Sequence, residues 1–254
     1  MRSSTAAAVS LRTVSAALFL LIPSALCHAT TLIAIWSPGE ILLAADSAVI
    51  KNLGPVAVQA SACKIGQQAG TSYAFSGLVE DPSLGYRVDS YAQQAAVSGG
   101  DVEAQAGRFV SALRVPFAKE LDALRHDDPI GYAFLTQGHP ALQAIFAGVE
   151  NGQPTLVVAG FGVGPEGQVG DFVRVIARGD DGRGPRIIYA GQQNQVRSYI
   201  KAHPDWYAGN RSELLRKLVQ MEIDASAGEV GGPVDILAVG PAGPRWVQRK
   251  QECH

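Results

Sequence analysis

Thr30 could act as a nucleophile, and two charged residues, Asp46 and Lys64, follow it at intervals of sixteen and eighteen residues. A Thr hydroxyl is a weak nucleophile until a base removes its proton. When Thr is the first residue of a chain, its own α-amine can be that base, because the ordinary pKa of such an amine is about 7.7 to 8.0. This chemistry requires that Thr30 become an N-terminus.

The residues before Thr30 have the pattern of a secretory signal peptide. Two arginines are the only Asp, Glu, Lys or Arg residues before Glu40, and an apolar run covers residues 14–22. Cys27 and Ala29 then place small side chains at the −3 and −1 positions of a cleavage site. The apolar run is too short for a permanent membrane helix. We therefore predict that residues 1–29 are removed and that the mature chain begins at Thr30.

A lipid anchor on Cys27 is the competing interpretation, and the bulky Leu26 before it speaks against that reading. Cleavage after Ala29 leaves 19 basic and 23 acidic side chains, a net charge of −4. It also leaves two cysteines, Cys63 and Cys253, which in an oxidising compartment are predicted to form one disulfide. The predicted location is periplasmic or secreted.

The composition is that of a globular protein with a large core. Hydrophobic residues make up 47% of the 254 residues, charged residues make up 17%, and the formal net charge is −2. So balanced a charge argues against nucleic acid or an anionic membrane surface as partner. Residues 30–254 contain no linker, repeat or second long apolar segment. We therefore expect one domain, with no membrane association after processing.

The hydrophobic pattern predicts alternating groups of strands and helices. Strands are predicted at 31–37, 41–47, 56–60, 72–76, 142–149, 155–160, 172–177, 186–190, 234–239 and 245–248, and helices at 84–97, 102–124, 192–202 and 212–226. Asp101 and Asn210 are candidate helix caps, Pro116 should kink or shorten its helix, and Asn151-Gly152 should form a tight hairpin turn.

Several predicted strands are apolar at every position, including 41–45 and 156–159. In a hairpin-rich antiparallel sheet such strands need cover on both faces. Two sheets packed together with helices outside each would provide it. We therefore predict an α+β protein, a four-layer α-β-β-α sandwich of two antiparallel sheets.

The stretch from Thr30 to Ser47, which opens Thr-Thr and closes Ala-Ala-Asp-Ser, resembles the start of a mature proteasome β subunit in the N-terminal nucleophile hydrolase superfamily. The nucleophilic Thr and the Asp are sixteen residues apart in that family, as are Thr30 and Asp46. Lys64 is similar to the family's catalytic Lys, about two residues later than usual. Gly77 is similar to a glycine whose N–H helps bind the oxyanion. The late Gly231-Gly232 also resembles the family, as does the order of strands and helices over the mature chain.

The resemblance implies a catalytic set of Thr30, Asp46, Lys64 and Gly77. A nearby ammonium disfavours added positive charge, so Lys64 would lower the pKa of the Thr30 amine or hydroxyl. Asp46 would keep Lys64 charged and oriented, and the N–H of Gly77 would stabilise the oxyanion. The substrate implied is a peptide or a smaller amide, and neither a metal nor another cofactor is needed.

Two departures from the family pattern favour a rival function. The family has Gly-Ser after its eighth strand, and this chain has Gln192 after Gly191. The family's Asp and Ser shortly before the late Gly-Gly have no clear counterpart near Ala227 and Val230. The rival is a non-catalytic binding or assembly module, which could form a homo-oligomeric ring.

Other patterns predict structure more than function. The Gly162–Gly167 stretch matches G-x-G-x-x-G but should precede a strand, so a loop is the better interpretation than a dinucleotide site. His126–Asp128 could touch a metal but is better explained as a helix end. Arg178–Asp180 should be a solvated loop. Asn210–Ser212 fits a glycosylation sequon by pattern and a helix cap by context.

Overall fold

The structure is a computed structural model that describes residues 30–53, 56–82, 84–137, 140–164, 167–180, 182–226 and 230–253. The predicted signal peptide lies outside the described residues, so its cleavage stays a prediction. The strands are β1 (Thr31–Ser37), β2 (Glu40–Ala45), β3 (Ala48–Leu53), β4 (Val56–Ser61), β5 (Ile65–Gln68), β6 (Thr71–Gly77), β7 (Glu80–Asp81), β8 (Tyr86–Arg87), β9 (Leu142–Glu150), β10 (Gln153–Val163), β11 (Val169–Arg178), β12 (Arg186–Gly191), β13 (Asp235–Gly240) and β14 (Gly243–Gln248). The helices are α1 (Val88–Val97), α2 (Val102–Asp127), α3 (Pro129–Thr136), α4 (Asn194–Ala202) and α5 (Arg211–Ala225), with a short 3-10 turn at Trp206–Ala208.

Ten of these strands form two five-stranded sheets in which every pairing is antiparallel. The first sheet has the order β12-β1-β2-β13-β14, and the second has the order β11-β10-β9-β6-β5. The remaining strands form two small ribbons, β3-β4 and β7-β8. The protein is therefore α+β, with antiparallel sheets as predicted.

Alternate residues of β1 belong to different apolar clusters. Leu32 and Ala34 pack with residues of the second sheet such as Ile145, whereas Ile33 packs with helical residues such as Leu218 of α5. Successive side chains of a strand point to opposite faces, so burial of both sets means that β1 is covered on both sides. This explains the uninterrupted apolar run that the sequence shows here.

A further apolar cluster joins α1 and α2 to the second sheet. Phe109 and Phe117 of α2 pack against Phe146 of β9 and Phe161 of β10, with ring centroids 5.2 Å apart for Phe109 and Phe146 and 4.5 Å apart for Phe117 and Phe161. In the described part of the chain, no helix combines the length and apolar character that crossing a bilayer needs.

The structure contains the two helix caps and the hairpin turn that the sequence predicts. Asp101 caps α2 by accepting from Ala104 N at 2.7 Å, and Asn210 caps α5 by accepting from Ser212 N at 3.0 Å. Asn151 and Gly152 both have positive φ, which the tight turn between β9 and β10 requires. These features depend on neighbours within a few residues, which makes them readable from the sequence.

Some element boundaries differ from the prediction. The first helix begins at Val88 and not at residue 84, because Tyr86 and Arg87 pair with β7 as a short ribbon. Helix α2 is not shortened by Pro116; it runs from Val102 to Asp127. The buried Leu113 and Phe117 on either side of this proline hold the helix against the second sheet. The hydrophobic pattern also did not predict β3, β5 or α3.

Glu120 of α2 is a buried acid that should make stability depend on pH. It is 4% exposed, and burial, the nearby charge of Asp81 and a hydrogen bond with Asp81 raise its pKa to about 7 from an ordinary value of 4.5. Between these values the folded protein keeps a proton that the unfolded chain has lost. The contribution of Glu120 to the free energy of unfolding should therefore fall as pH rises from about 4.5 to about 7, by on the order of 3 kcal/mol.

The measurement is urea unfolding of the wild type and of Glu120→Gln at pH 5 and pH 8. We expect the free energy of unfolding of the variant, relative to that of the wild type, to be higher at pH 8 than at pH 5. The reason is that the amide carries no charge at either pH. Asp122→Asn, at an exposed position of the same helix, is the control and should show no such change. An equal difference at both pH values would contradict the prediction.

Candidate active site

Thr30 lies immediately before β1, where the backbone of the residues after β12 holds it. Gln192 N donates to Thr30 O at 2.8 Å, and Thr31 Oγ1 donates to Gln192 O at 3.2 Å. Gly191, the last residue of β12, has a φ of +74°, and a Cβ on it would lie 1.7 Å from Thr30 O. Only glycine fits such an approach. The first sheet therefore holds Thr30 in a defined, buried position.

Asp46 follows the last residue of β2 and is fully buried. Its Oδ1 accepts from Thr31 N at 2.9 Å and from Lys64 Nζ at 2.7 Å. Its Oδ2 accepts from Ala48 N at 3.0 Å and from Gly231 N at 3.2 Å. Four donors around a buried carboxylate are the arrangement that an ionised acid needs.

Lys64 lies between β4 and β5, and its side chain is 8% exposed. Its Nζ donates to Asp46 Oδ1 at 2.7 Å and to Thr30 Oγ1 at 3.1 Å. Burial lowers the pKa of Lys64 below its ordinary value; Asp46 opposes this shift, and the charge of Lys250 adds to it. Three of the four residues that the sequence singled out, Thr30, Asp46 and Lys64, thus form one connected group, although Asp46 follows a strand of the first sheet and Lys64 precedes a strand of the second.

Gly77 is the last residue of β6, and its backbone conformation and surroundings require a glycine at this position. Its φ is +98°, and a Cβ there would lie 2.2 Å from Ala141 O. The neighbouring Ser76 is close to the start of β1, since its Cβ is 3.5 Å from the position that a Cβ on Gly191 would occupy. The end of β6 therefore lies beside the Thr30 region, whereas an oxyanion role for the Gly77 N–H stays a prediction.

The two departures from the family pattern lie at Gln192 and near Ala227 and Val230. At Gln192 the backbone bonds to Thr30 and Thr31 are present, as described above. Ala227 lies outside the described residues. Ser226 is used locally, since its Oγ accepts from Val230 N at 3.1 Å.

Sequence reasoning missed two charged residues that lie next to this group, Lys250 and Asp235. Lys250 Nζ is 3.8 Å from Asp235 Oδ2, and both side chains are buried. The predicted disulfide is present, with Cα atoms of Cys63 and Cys253 5.7 Å apart. The position of Lys250, three residues before a cysteine predicted to bond beside Lys64, was the one clue the sequence held.

The remaining motifs take structural roles. Arg178 pairs with Glu103 at 3.0 Å and with Glu150 at 2.9 Å. Asp128 caps α3 by accepting from Gly131 N at 2.9 Å. The G-x-G-x-x-G stretch precedes β11, and two of its residues lie outside the described ones. Within the described ranges, no three His, Cys, Asp or Glu side chains are grouped as a metal site would require.

A cavity of about 310 Å³ lies away from Thr30. Its lining includes Thr71 at the start of β6, Glu150 at the end of β9 and the turn before β14. Thr30 lies near the opposite end of β6, so this cavity does not belong to the Thr30 group.

The sequence matches no protein-family model, and no curated protein is similar to it. Among solved structures, the fold resembles that of an Anbu (Gly-1) mutant from Hyphomicrobium sp. strain MC1, with a TM-score of 0.49 and 14% sequence identity. The match covers 88% of this chain and 89% of that one. A likeness of this size does not establish a family, and the function is therefore inferred from the geometry around Thr30.

Proposed function

We propose that this protein is an exported N-terminal threonine hydrolase that cleaves amide bonds through an acyl ester on Thr30. One observation carries the proposal: the buried Lys64 ammonium bridges Asp46 Oδ1 and Thr30 Oγ1 at 2.7 and 3.1 Å. Burying a lysine is costly unless its charge is paired, and Asp46 supplies that pairing, but the contact of the ammonium with a Thr hydroxyl needs a further explanation. Activation of that hydroxyl provides one.

The proposal includes the architecture and the maturation. We infer that the two sheets and their flanking helices form the four-layer sandwich of N-terminal nucleophile hydrolases, as one domain over residues 30–254. Signal peptidase, and not self-cleavage, would release the Thr30 amine after export. The protein would then work in the periplasm or outside the cell, in agreement with the Cys63–Cys253 disulfide.

The reaction proceeds in two proton-balanced stages. The Thr30 amine takes the hydroxyl proton while Oγ forms a bond to the substrate carbonyl carbon. The tetrahedral intermediate collapses, the C–N bond breaks, and the amine gives its proton to the departing nitrogen. Water, deprotonated by the same amine, then attacks the ester carbonyl, and the proton returns to Oγ as the acid leaves. The Gly77 N–H stabilises the oxyanion in both stages.

Lys64 and Asp46 act on this cycle through their charges. A positive charge within hydrogen-bond distance of Oγ favours the alkoxide character that develops during attack. The Asp46 carboxylate holds the ammonium in place and compensates for its burial. The substrate class is a peptide or a smaller amide.

The rival proposal, a non-catalytic module that could form a homo-oligomer, is favoured by Gln192. In the family resembled, a Ser at this position hydrogen-bonds the N-terminal amine, and Gln192 replaces it here. The position of Lys64 on Thr30 Oγ1 opposes this rival, because a scaffold has no use for a buried lysine aimed at a hydroxyl.

Intact-mass analysis of the exported protein, before and after an epoxyketone, decides between the two. We expect a chain that starts at Thr30 and one adduct located on Thr30, because the reagent requires both the hydroxyl and the free amine of one residue. Thr31→Ala is the matched control and should keep the adduct. An extra Ala inserted between Ala29 and Thr30 should abolish it, since the hydroxyl remains while the free amine moves. A folded protein that starts at Thr30 and gives no adduct would support the rival.

A further inference from the structure

The C-terminal segment brings a second buried ammonium to the proposed active site. The side chain of Lys250 is 2% exposed, and its backbone N donates to Asp235 Oδ1 at 2.9 Å. Its Nζ donates to Ser61 Oγ at 3.2 Å and also to Ala62 O. Lysine side chains are almost never buried unless they are paired. Asp235 Oδ2, 3.8 Å from Lys250 Nζ, supplies the counter-charge, and the proposed mechanism does not use this buried pair.

The contacts of Lys250 are directed at the residues that carry Lys64. Ser61 and Ala62 immediately precede Cys63 and Lys64. Ala62 is held from its other side, because its N donates to Ser47 O at 2.8 Å. The Cys63–Cys253 disulfide then ties the same segment to the chain three residues after Lys250.

Asp235 connects Lys250 to the first sheet. It is the first residue of β13 and pairs with Ala45 of β2, the residue immediately before Asp46. Lys250 therefore links the strand beside Asp46 to the segment that carries Lys64. The distance between the Asp46 carboxylate and the Lys64 ammonium depends on both of these anchors.

Lys250 also acts on Lys64 through its charge. Its positive charge adds to the burial that lowers the pKa of Lys64, while Asp46 works in the opposite direction. Burial lowers the pKa of Lys250 itself, and Asp235, Glu252 and Asp46 oppose that shift. The charge of Lys250 therefore acts on Lys64, whose Nζ lies 3.1 Å from Thr30 Oγ1.

We propose that Lys250 is a positioning residue for hydrolysis at Thr30, which fixes segment 61–64 and supplies a second positive charge behind Lys64. This inference rests on the proposed function. Two consequences follow from it. Without Lys250, the hydrogen bond from Lys64 Nζ to Thr30 Oγ1 should be less well formed. The electrostatic field that disfavours protonation of the Thr30 amine should also weaken.

The test compares Lys250→Met with Lys250→Arg, which keeps the charge and donors. For Lys250→Met we expect Thr30 adduct formation by the epoxyketone to slow by between about 10- and 100-fold. The pH at which the rate rises should move upward, because the amine protonates more readily once a positive charge is gone. Lys250→Arg should keep the wild-type pH profile and recover part of the rate. Ser61→Ala, which removes one contact and no charge, should slow the reaction without moving the profile.

A second readout separates this inference from the proposed function. NMR titration of labelled lysine side chains reports the pKa of Lys64 directly, with Lys64→Arg used to assign its signal. We expect that pKa to rise in Lys250→Met and to stay near the wild-type value in Lys250→Arg. If wild-type protein forms no adduct, the proposed function fails, and the Lys64 titration still decides whether Lys250 acts on Lys64. An unchanged Lys64 pKa and pH profile in folded Lys250→Met would overturn the inference.

Discussion

Replacing Lys64 with methionine is expected to slow acylation of Thr30 by about 100-fold or more, the size of effect seen when one preorganised charge or donor is removed from an active site. Methionine keeps much of the length and apolar body of the lysine but removes the ammonium that lies 3.1 Å from Thr30 Oγ1. The measurement is the rate of adduct formation by a threonine-directed β-lactone, followed by intact mass.

The pH profile adds a second expectation for Lys64→Met. The rate should require a higher pH, because loss of the neighbouring ammonium lets the Thr30 amine hold its proton more tightly. Lys64→Arg should not restore the rate, since a planar guanidinium cannot replace a compact ammonium in a buried site. Lys201→Met, at an exposed position of α4, is the control and should react like the wild type. A Lys64→Met protein with the wild-type rate and profile would remove Lys64 from the mechanism.

Replacing Asp46 with alanine should cost at least about 4 kcal/mol of folding stability, because it leaves a buried lysine without its counter-charge. The change also removes the acceptor for the backbone N–H groups of Thr31, Ala48 and Gly231. Each buried donor left unpaired adds a further penalty of about 1 to 3 kcal/mol. Chemical unfolding of the purified variants is the measurement.

Two companion variants make the Asp46 result specific. In Asp46→Ala/Lys64→Met the uncompensated charge is gone, so the double variant should be more stable than Asp46→Ala alone. Asp89→Ala breaks an exposed pair with Arg87 at 2.8 Å and should cost no more than about 1 kcal/mol. If the second substitution destabilised Asp46→Ala further, the Lys64–Asp46 pair would not be the source of the loss.

The relation between Thr30 and Asp46 could be predicted from the sequence because it is local. A two-residue turn at Pro38-Gly39 joins β1 to β2, and the register places Leu32 opposite Ala45. Counting outward from the turn brings residue 31 opposite residue 46 without information from elsewhere in the chain. The apolar pattern likewise indicated which strands need cover on both faces, and cap residues such as Asp101 marked helix starts.

Lys64 was predicted by resemblance, but its position depends on the path that the chain takes between β2 and β5. It reaches Asp46 and Thr30 only because the β3-β4 ribbon returns the chain to the end of β2. From the local sequence alone, a lysine beside a cysteine suits an exposed loop as well as a buried site. The short ribbon of β7 and β8 was missed for a similar reason, since two-residue strands have no periodicity to detect.

By itself, the sequence determined the class of fold, the Thr30–Asp46 hairpin and the pair of cysteines available for a disulfide, because each depends on short-range spacing, composition or burial pattern. The tertiary structure alone decided that Gly231 completes the Asp46 hydrogen bonds and that Lys250 and Asp235 lie behind Lys64. These partners are separated from the residues they serve by more than half of the chain. Burial of a charge is favourable only when its partners converge in space, and no local pattern in the sequence records that convergence.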